Sequence, residues 1–100
     1  MYGLSPETLF LLTACFHQFP QIRWVKIYGS RAKGTHAPGS DIDLAYSSAH
    51  DMSAELLETL NALPTPYLFD VTHYESLRHE GLKAHIDRAG KIIYAPETSL

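Results

Sequence analysis

One hundred residues make room for one domain whose core buries about two-thirds of the unfolded chain's surface, and for little beyond it. A net charge of −3, from 8 Lys and Arg against 11 Asp and Glu, argues against general nucleic-acid binding, which needs a basic surplus to displace counterions from phosphate. The single cysteine, Cys15, excludes a disulfide framework and suits a reducing cytoplasm.

The first predicted helix opens with Ser5 as cap and Pro6 in its first turn, and Pro20 stops it. Leu9, Leu12, Phe16 and Phe19 form its inward stripe, and Cys15 in the same apolar run is expected to be buried rather than reactive. That run is too short to span a bilayer, lacks a basic leader and follows Glu7, so a soluble protein without a membrane role is expected. Residues 23–28 read as a strand, with Arg23 and Lys26 as solvated charges and Tyr28 as a packing residue.

This strand ends at Gly29, where the missing side chain lets backbone N–H groups approach an anion. Ser30 adds a hydroxyl donor, and Arg31 and Lys33 add positive charge, so the turn suits a triphosphate. Ten residues separate Ser30 from Asp41, which opens a second strand over 41–46. Asp41 and Asp43 alternate with Ile42 and therefore share a face. Two like charges so placed hold a proton tightly unless a cation joins them. Magnesium fits, since it takes one or two carboxylates and completes its shell with water and phosphate oxygens. A calcium loop fails on spacing: counted from Asp41, the sixth residue is Tyr46 rather than glycine and the twelfth is Met52 rather than glutamate. For turn and carboxylates to share a ligand, the two strands must be antiparallel neighbours.

A helix over 53–63 follows, with Leu56, Leu57, Leu60 and Leu63 inward and Pro64 beyond its end. The third strand, over 67–72, is apolar except for Asp70. A carboxylate in a central strand is costly unless paired, hydrated or bound to metal, so Asp70 is either a ligand or a hydrogen-bonded structural residue. A last helix over 75–89, interrupted by Gly81 and ending near Gly90, turns Leu77, Leu82 and Ile86 inward, and 91–94 adds a short edge strand. The expectation is a small α/β fold, a mixed sheet of three or four strands with helices packed against it, forming a single domain over residues 1–100. The six histidines, His17, His36, His50, His73, His79 and His85, lack ligand spacing, so zinc is not expected, and His36 reads as a solvent-facing loop residue.

Asp-x-Asp alone commonly marks a solvated strand end, and Gly-Ser alone marks a turn. Their order and spacing together say more. Gly29-Ser30-Arg31-Ala32-Lys33-Gly34 and Ser40-Asp41-Ile42-Asp43-Leu44 resemble the signature of the nucleotidyltransferase superfamily typified by DNA polymerase beta, in the version carried by minimal nucleotidyltransferases, often paired with a HEPN-type ribonuclease toxin. The resemblance extends to the closing residues 86–94. Lys33 departs from the arginine of many relatives, keeping the charge but losing the planar fork for phosphate.

The resemblance implies a nucleotidyltransferase fold and transfer of a nucleoside monophosphate, AMP from ATP, to a hydroxyl acceptor. It implies Asp41 and Asp43 as catalytic ligands of one or two Mg²⁺ ions, Asp70 as the third carboxylate, and Gly29, Ser30, Arg31 and Lys33 as the triphosphate cradle. With no acceptor-reading lobe in the chain, a HEPN toxin tyrosine is the implied acceptor and the chain its antitoxin. Two other functions stand beside it: transfer to a small molecule such as an aminoglycoside, and neutralisation of a toxin by contact without chemistry.

Overall fold

The computed structural model of the chain describes residues 3–29, 34 and 41–96. Its elements run α1 (Pro6–His17), β1 (Trp24–Tyr28), β2 (Ile42–Ser47), α2 (Ser53–Asn61), β3 (Phe69–His73), a 3-10 turn (Tyr74–Ser76), α3 (Glu80–Ala89) and β4 (Lys91–Tyr94). The strands form one mixed sheet in the order β3-β2-β1-β4. β1 is antiparallel to both β2 and β4, while β2 and β3 run parallel. The α/β class and mixed sheet expected from the sequence are what the chain adopts, and β1 and β2 are the antiparallel neighbours the motif requires.

One face of the sheet carries the main core. Val25 and Ile27 of β1 and Ile42, Leu44 and Tyr46 of β2 are fully buried against Leu12 and Phe16 of α1 and Leu56 and Leu60 of α2. Each such aliphatic side chain contributes about 2 kcal/mol by leaving water. α1 is held in place at its start by Ser5, whose Oγ accepts the Thr8 N–H at 3.2 Å. Burial among these side chains pushes the Cys15 thiol pKa up, in keeping with a packing role. The other face takes α3, whose Ile86 packs with Tyr28 and Ala45, flanked by Trp24 and Leu82. No helix among the described residues is long and apolar enough to cross a membrane.

Tyr46 ties β2 to α2. Its hydroxyl accepts the Met52 N–H at 2.9 Å, donates to Asp51 Oδ1 at 3.1 Å and meets Ser53 Oγ at 2.8 Å. Replacing Tyr46 with Phe leaves the buried Met52 N–H without that acceptor. The variant is expected to lose about 1–3 kcal/mol of stability in a denaturant titration.

β1 starts one residue later than the sequence expectation and β2 is shifted by one at both ends, and three elements differ further. α2 stops at Asn61 rather than Leu63, because Pro64 disfavours helical backbone at the residue before it; the chain closes with Leu63 N–H on the Leu60 carbonyl at 3.1 Å. β3 starts at Phe69, two residues late, and runs on to His73. The last helix starts at Glu80, not Glu75. His79 is its cap, with Nδ1 accepting the Leu82 N–H at 2.9 Å, and Gly81 lies in its first turn rather than interrupting it.

Residues 75–79 are drawn off by the end of β2. Glu75 accepts the Ser48 N–H at 3.1 Å and the Ser47 hydroxyl, and pairs with Arg23 at 3.3 Å. Burial by itself raises the Glu75 carboxyl pKa, but the bonds from Ser47 and Ser48 outweigh it and hold the group below its ordinary value. Buried His73 reaches the Ser48 carbonyl through Nε2 at 2.8 Å and Ser76 Oγ through Nδ1 at 2.6 Å. A carbonyl only accepts, so Nε2 carries the hydrogen. Arg23, expected as a plain solvated charge, is thus half of an exposed ion pair, while Lys26 lies over the Trp24 ring at 4.9 Å.

Candidate active site

The hydrogen-bonding register brings the acidic residues together. Asp43 on β2 sits opposite Tyr28 on β1 and beside Asp70 on β3. Paired positions on adjacent strands lie about 4.8 Å apart and project to the same side, so both carboxylates rise from the face opposite the main core. Asp41 immediately precedes β2 and shares that side by its two-residue offset. Asp41 and Asp70 are exposed, and Asp43 between them is half-buried.

Sequence reasoning expected Asp70 in a central strand, where an unpaired carboxylate is expensive. That premise is corrected: β3 is the edge of the sheet and Asp70 is exposed, so burial exerts no pressure on it. Its place beside Asp43 comes from register instead.

The Asp43 carboxyl is pushed above its ordinary value, first by burial, then by the charge of Asp70 and then by that of Asp41. Asp43 therefore feels the charge of both neighbours. Among the described residues, however, no three His, Cys, Asp or Glu side chains converge closely enough to form a metal cage by themselves. Magnesium asks for less: one or two carboxylates suffice when water and phosphate oxygens fill the other positions. A half-buried carboxylate flanked by two like charges fits such an ion.

Gly29 follows β1 with φ +76°, a conformation that side chains resist. A Cβ built on it stands 2.6 Å from Asp43 Oδ2, inside any allowed contact distance. Both the backbone conformation and this approach favour glycine here, and the second puts the bend directly against the central carboxylate, which would have to move to admit a side chain. Ser30, Arg31 and Lys33, the remainder of the expected phosphate cradle, lie outside the described residues, as does His36.

Two neighbours were not singled out for this site by sequence reasoning. Tyr28, expected only to pack, does pack, but its hydroxyl also meets Thr72 Oγ1 at 3.3 Å. Burial raises its pKa most; the Thr72 bond works the other way, and the charges of Asp43 and Asp70 push it further up. Thr72 stands two residues after Asp70, and that period-2 offset was the available signal. An apolar hollow of about 470 Å³ lined by Pro6, Glu7, Phe10 and Leu11 lies on α1, away from the aspartates, and gathers no comparable polar groups.

The family model "Polymerase beta, Nucleotidyltransferase" matches residues 12–99. Among solved structures, a toxin–antitoxin complex with AMP-PNP aligns with a TM-score of 0.72 at 22% identity, covering 94% of this chain and 76% of that one. The MntA–HepT toxin–antitoxin aligns at 0.69 and 18% identity, covering 91% and 73%. A tri-AMPylated Shewanella oneidensis HEPN toxin in complex with MNT antitoxin aligns at 0.64 and 20% identity, covering 95% and 73%. No curated protein matches the chain. Similarity at such low identity shows a shared fold, whereas the family match spans most of the sequence and includes the Gly-Ser turn and all three aspartates. The chain belongs to the polymerase beta nucleotidyltransferase family.

Proposed function

We propose that this chain, as a single nucleotidyltransferase domain in the cytoplasm, transfers AMP from ATP to a hydroxyl, a tyrosine of a HEPN-type toxin, and so acts as its antitoxin. The observation that carries the reading is the fit of Asp43 between the side-chain-free surface of Gly29 and the adjacent Asp70. The solved toxin–antitoxin complexes of the same fold, one with AMP-PNP and one with a tri-AMPylated toxin, support the choice of nucleotide and partner.

Asp41, Asp43 and Asp70 would hold one or two Mg²⁺ ions. When bound, magnesium lowers the pKa of the acceptor hydroxyl and neutralises charge on the leaving pyrophosphate. The chain's own residues supply position. Gly29 keeps its backbone open to the triphosphate, Ser30 donates a hydrogen bond, and Arg31 and Lys33 oppose the phosphate charge. Asp43 and Asp70 fix where the α-phosphorus meets the acceptor. The acceptor oxygen bonds to that phosphorus, the bond to the bridging oxygen of the β-phosphate breaks, pyrophosphate leaves with that oxygen, and the hydroxyl proton passes to solvent water at the open site. Among the described residues Asp41 and Asp70 are exposed, which leaves room for a protein-borne hydroxyl.

Incubation with labelled ATP and Mg²⁺, with and without the HEPN-type toxin, tests this. Label is expected on the toxin only when both proteins and the metal are present. Label on an added aminoglycoside but not on the toxin would replace the acceptor. A stable complex without label would leave contact alone as the means of neutralisation.

A further inference from the structure

Tyr28 is the residue before the Gly29 bend, and Thr72 lies two residues beyond Asp70 on the same face of β3. Between β1 and β3 runs β2, so a side chain joining them spans two strand spacings, about 9.6 Å. The Tyr28 ring makes this crossing. It packs with Ala45 and with Ile86 of α3, meets His85 edge-on at 6.3 Å, and brings its hydroxyl to Thr72 Oγ1 at 3.3 Å. Ala45 is fully buried, and its single methyl is what lets the ring lie there.

We infer that the Tyr28–Thr72 hydrogen bond straps the edge strand carrying Asp70 to the Gly29 bend across Asp43, making Tyr28 and Thr72 positioning residues for the bound cation and triphosphate. The inference rests on the nucleotidyltransfer proposed above. β3 is paired on one side only, and its inner face is anchored in the core through Phe69 and His73. On its outer face Asp70 is exposed and repelled by Asp43. The strap opposes that repulsion where the core does not reach. It also couples the two halves of the site, since the hydroxyl partners lie one residue from the bend and two from the third carboxylate.

The test uses Tyr28→Phe and Thr72→Val, which remove one hydroxyl each with little change of shape, Thr72→Ser, which keeps it, and the Tyr28→Phe/Thr72→Val double variant. Mn²⁺ binding is measured by calorimetry on the full chain with a non-hydrolysable ATP analogue, beside thermal unfolding and the split between kcat and KM for ATP. Tyr28→Phe and Thr72→Val are each expected to weaken Mn²⁺ binding roughly three- to tenfold, on the scale of one hydrogen bond, while Thr72→Ser retains it. The double variant should be no worse than either single one, because both remove the same bond. The strap is overturned if the two hydroxyl deletions bind Mn²⁺ as the parent does, even with lowered melting, if Thr72→Ser is as weak as Thr72→Val, or if the single losses add. If the parent itself binds no Mn²⁺, the functional reading falls as well; parental binding with unaffected variants sinks the strap alone.

Discussion

An Asp43→Asn protein is expected to lose nucleotide transfer by at least about a hundredfold while folding as well as the parent or better. The substitution keeps the shape of the side chain and removes its charge, so the backbone register with Tyr28 and Asp70 has no reason to change. What disappears is the anionic group between two other carboxylates. In the folded state the Asp43 pKa lies above its ordinary 3.8, because of burial and then Asp70 and Asp41. The native protein therefore binds this proton more tightly than the unfolded chain does. The sign follows: the group favours folding most below its ordinary pKa, that advantage is lost as pH rises through the elevated folded pKa, and at neutral pH its charge is a net burden. Asparagine removes the burden, so denaturant midpoints should match or exceed the parent's at neutral pH and converge with them in acid. Labelled-ATP transfer and unfolding curves at two pH values check both halves. Transfer at the parental rate would remove Asp43 from the chemistry; a large loss of stability would mean that its carboxylate is structural.

The sequence made the site easier to read than the elements around it. Gly29, Asp41 and Asp43 stand out because phosphate and metal chemistry demands particular residue types at particular offsets, and alternation along a strand converts the Asp-x-Asp spacing directly into a shared face. Asp70 is singled out by the family resemblance and also by a premise that the fold corrects. Its surroundings suggested a central strand, since Tyr67, Leu68, Phe69 and Val71 are all apolar, yet Leu68 is 68% exposed and β3 is an edge. A run of apolar residues does not say how many neighbours a strand has. The start of α3 was illegible for a different cause. Glu75 looks like a first-turn helix residue, but its carboxylate is held by Arg23, Ser47 and Ser48, contacts made across more than twenty residues of sequence that no local pattern records. The Tyr28–Thr72 contact, at a separation of 44 residues, was hidden in the same way.

Gly29→Ala and Gly34→Ala together isolate the contact that joins the bend to the carboxylates. Both glycines have left-handed backbone, φ +76° and +75°, so an alanine at either costs about 1 kcal/mol in backbone strain. In a domain of this size that is a fall in melting temperature on the order of 4–8 °C. The surroundings differ completely. Among the described residues a Cβ at Gly34 meets nothing within 4 Å, whereas one at Gly29 stands 2.6 Å from Asp43 Oδ2. In Gly29→Ala, Asp43 must swing aside, and the available direction is limited by Asp70 beside it and the Tyr28 ring opposite. A displacement of about 1 Å at a reacting centre typically lowers the rate on the order of a hundredfold. Gly29→Ala is therefore expected to lose transfer to that extent and to melt lower than Gly34→Ala, which should show the strain alone. Kinetics with labelled ATP and a thermal scan of both variants give the comparison. Equal activity in the two would show that the approach of Gly29 to Asp43 has no part in holding the substrate. A selective loss in Gly29→Ala would tie the rate to the one clash that Gly34→Ala lacks, and so to the position of the central carboxylate.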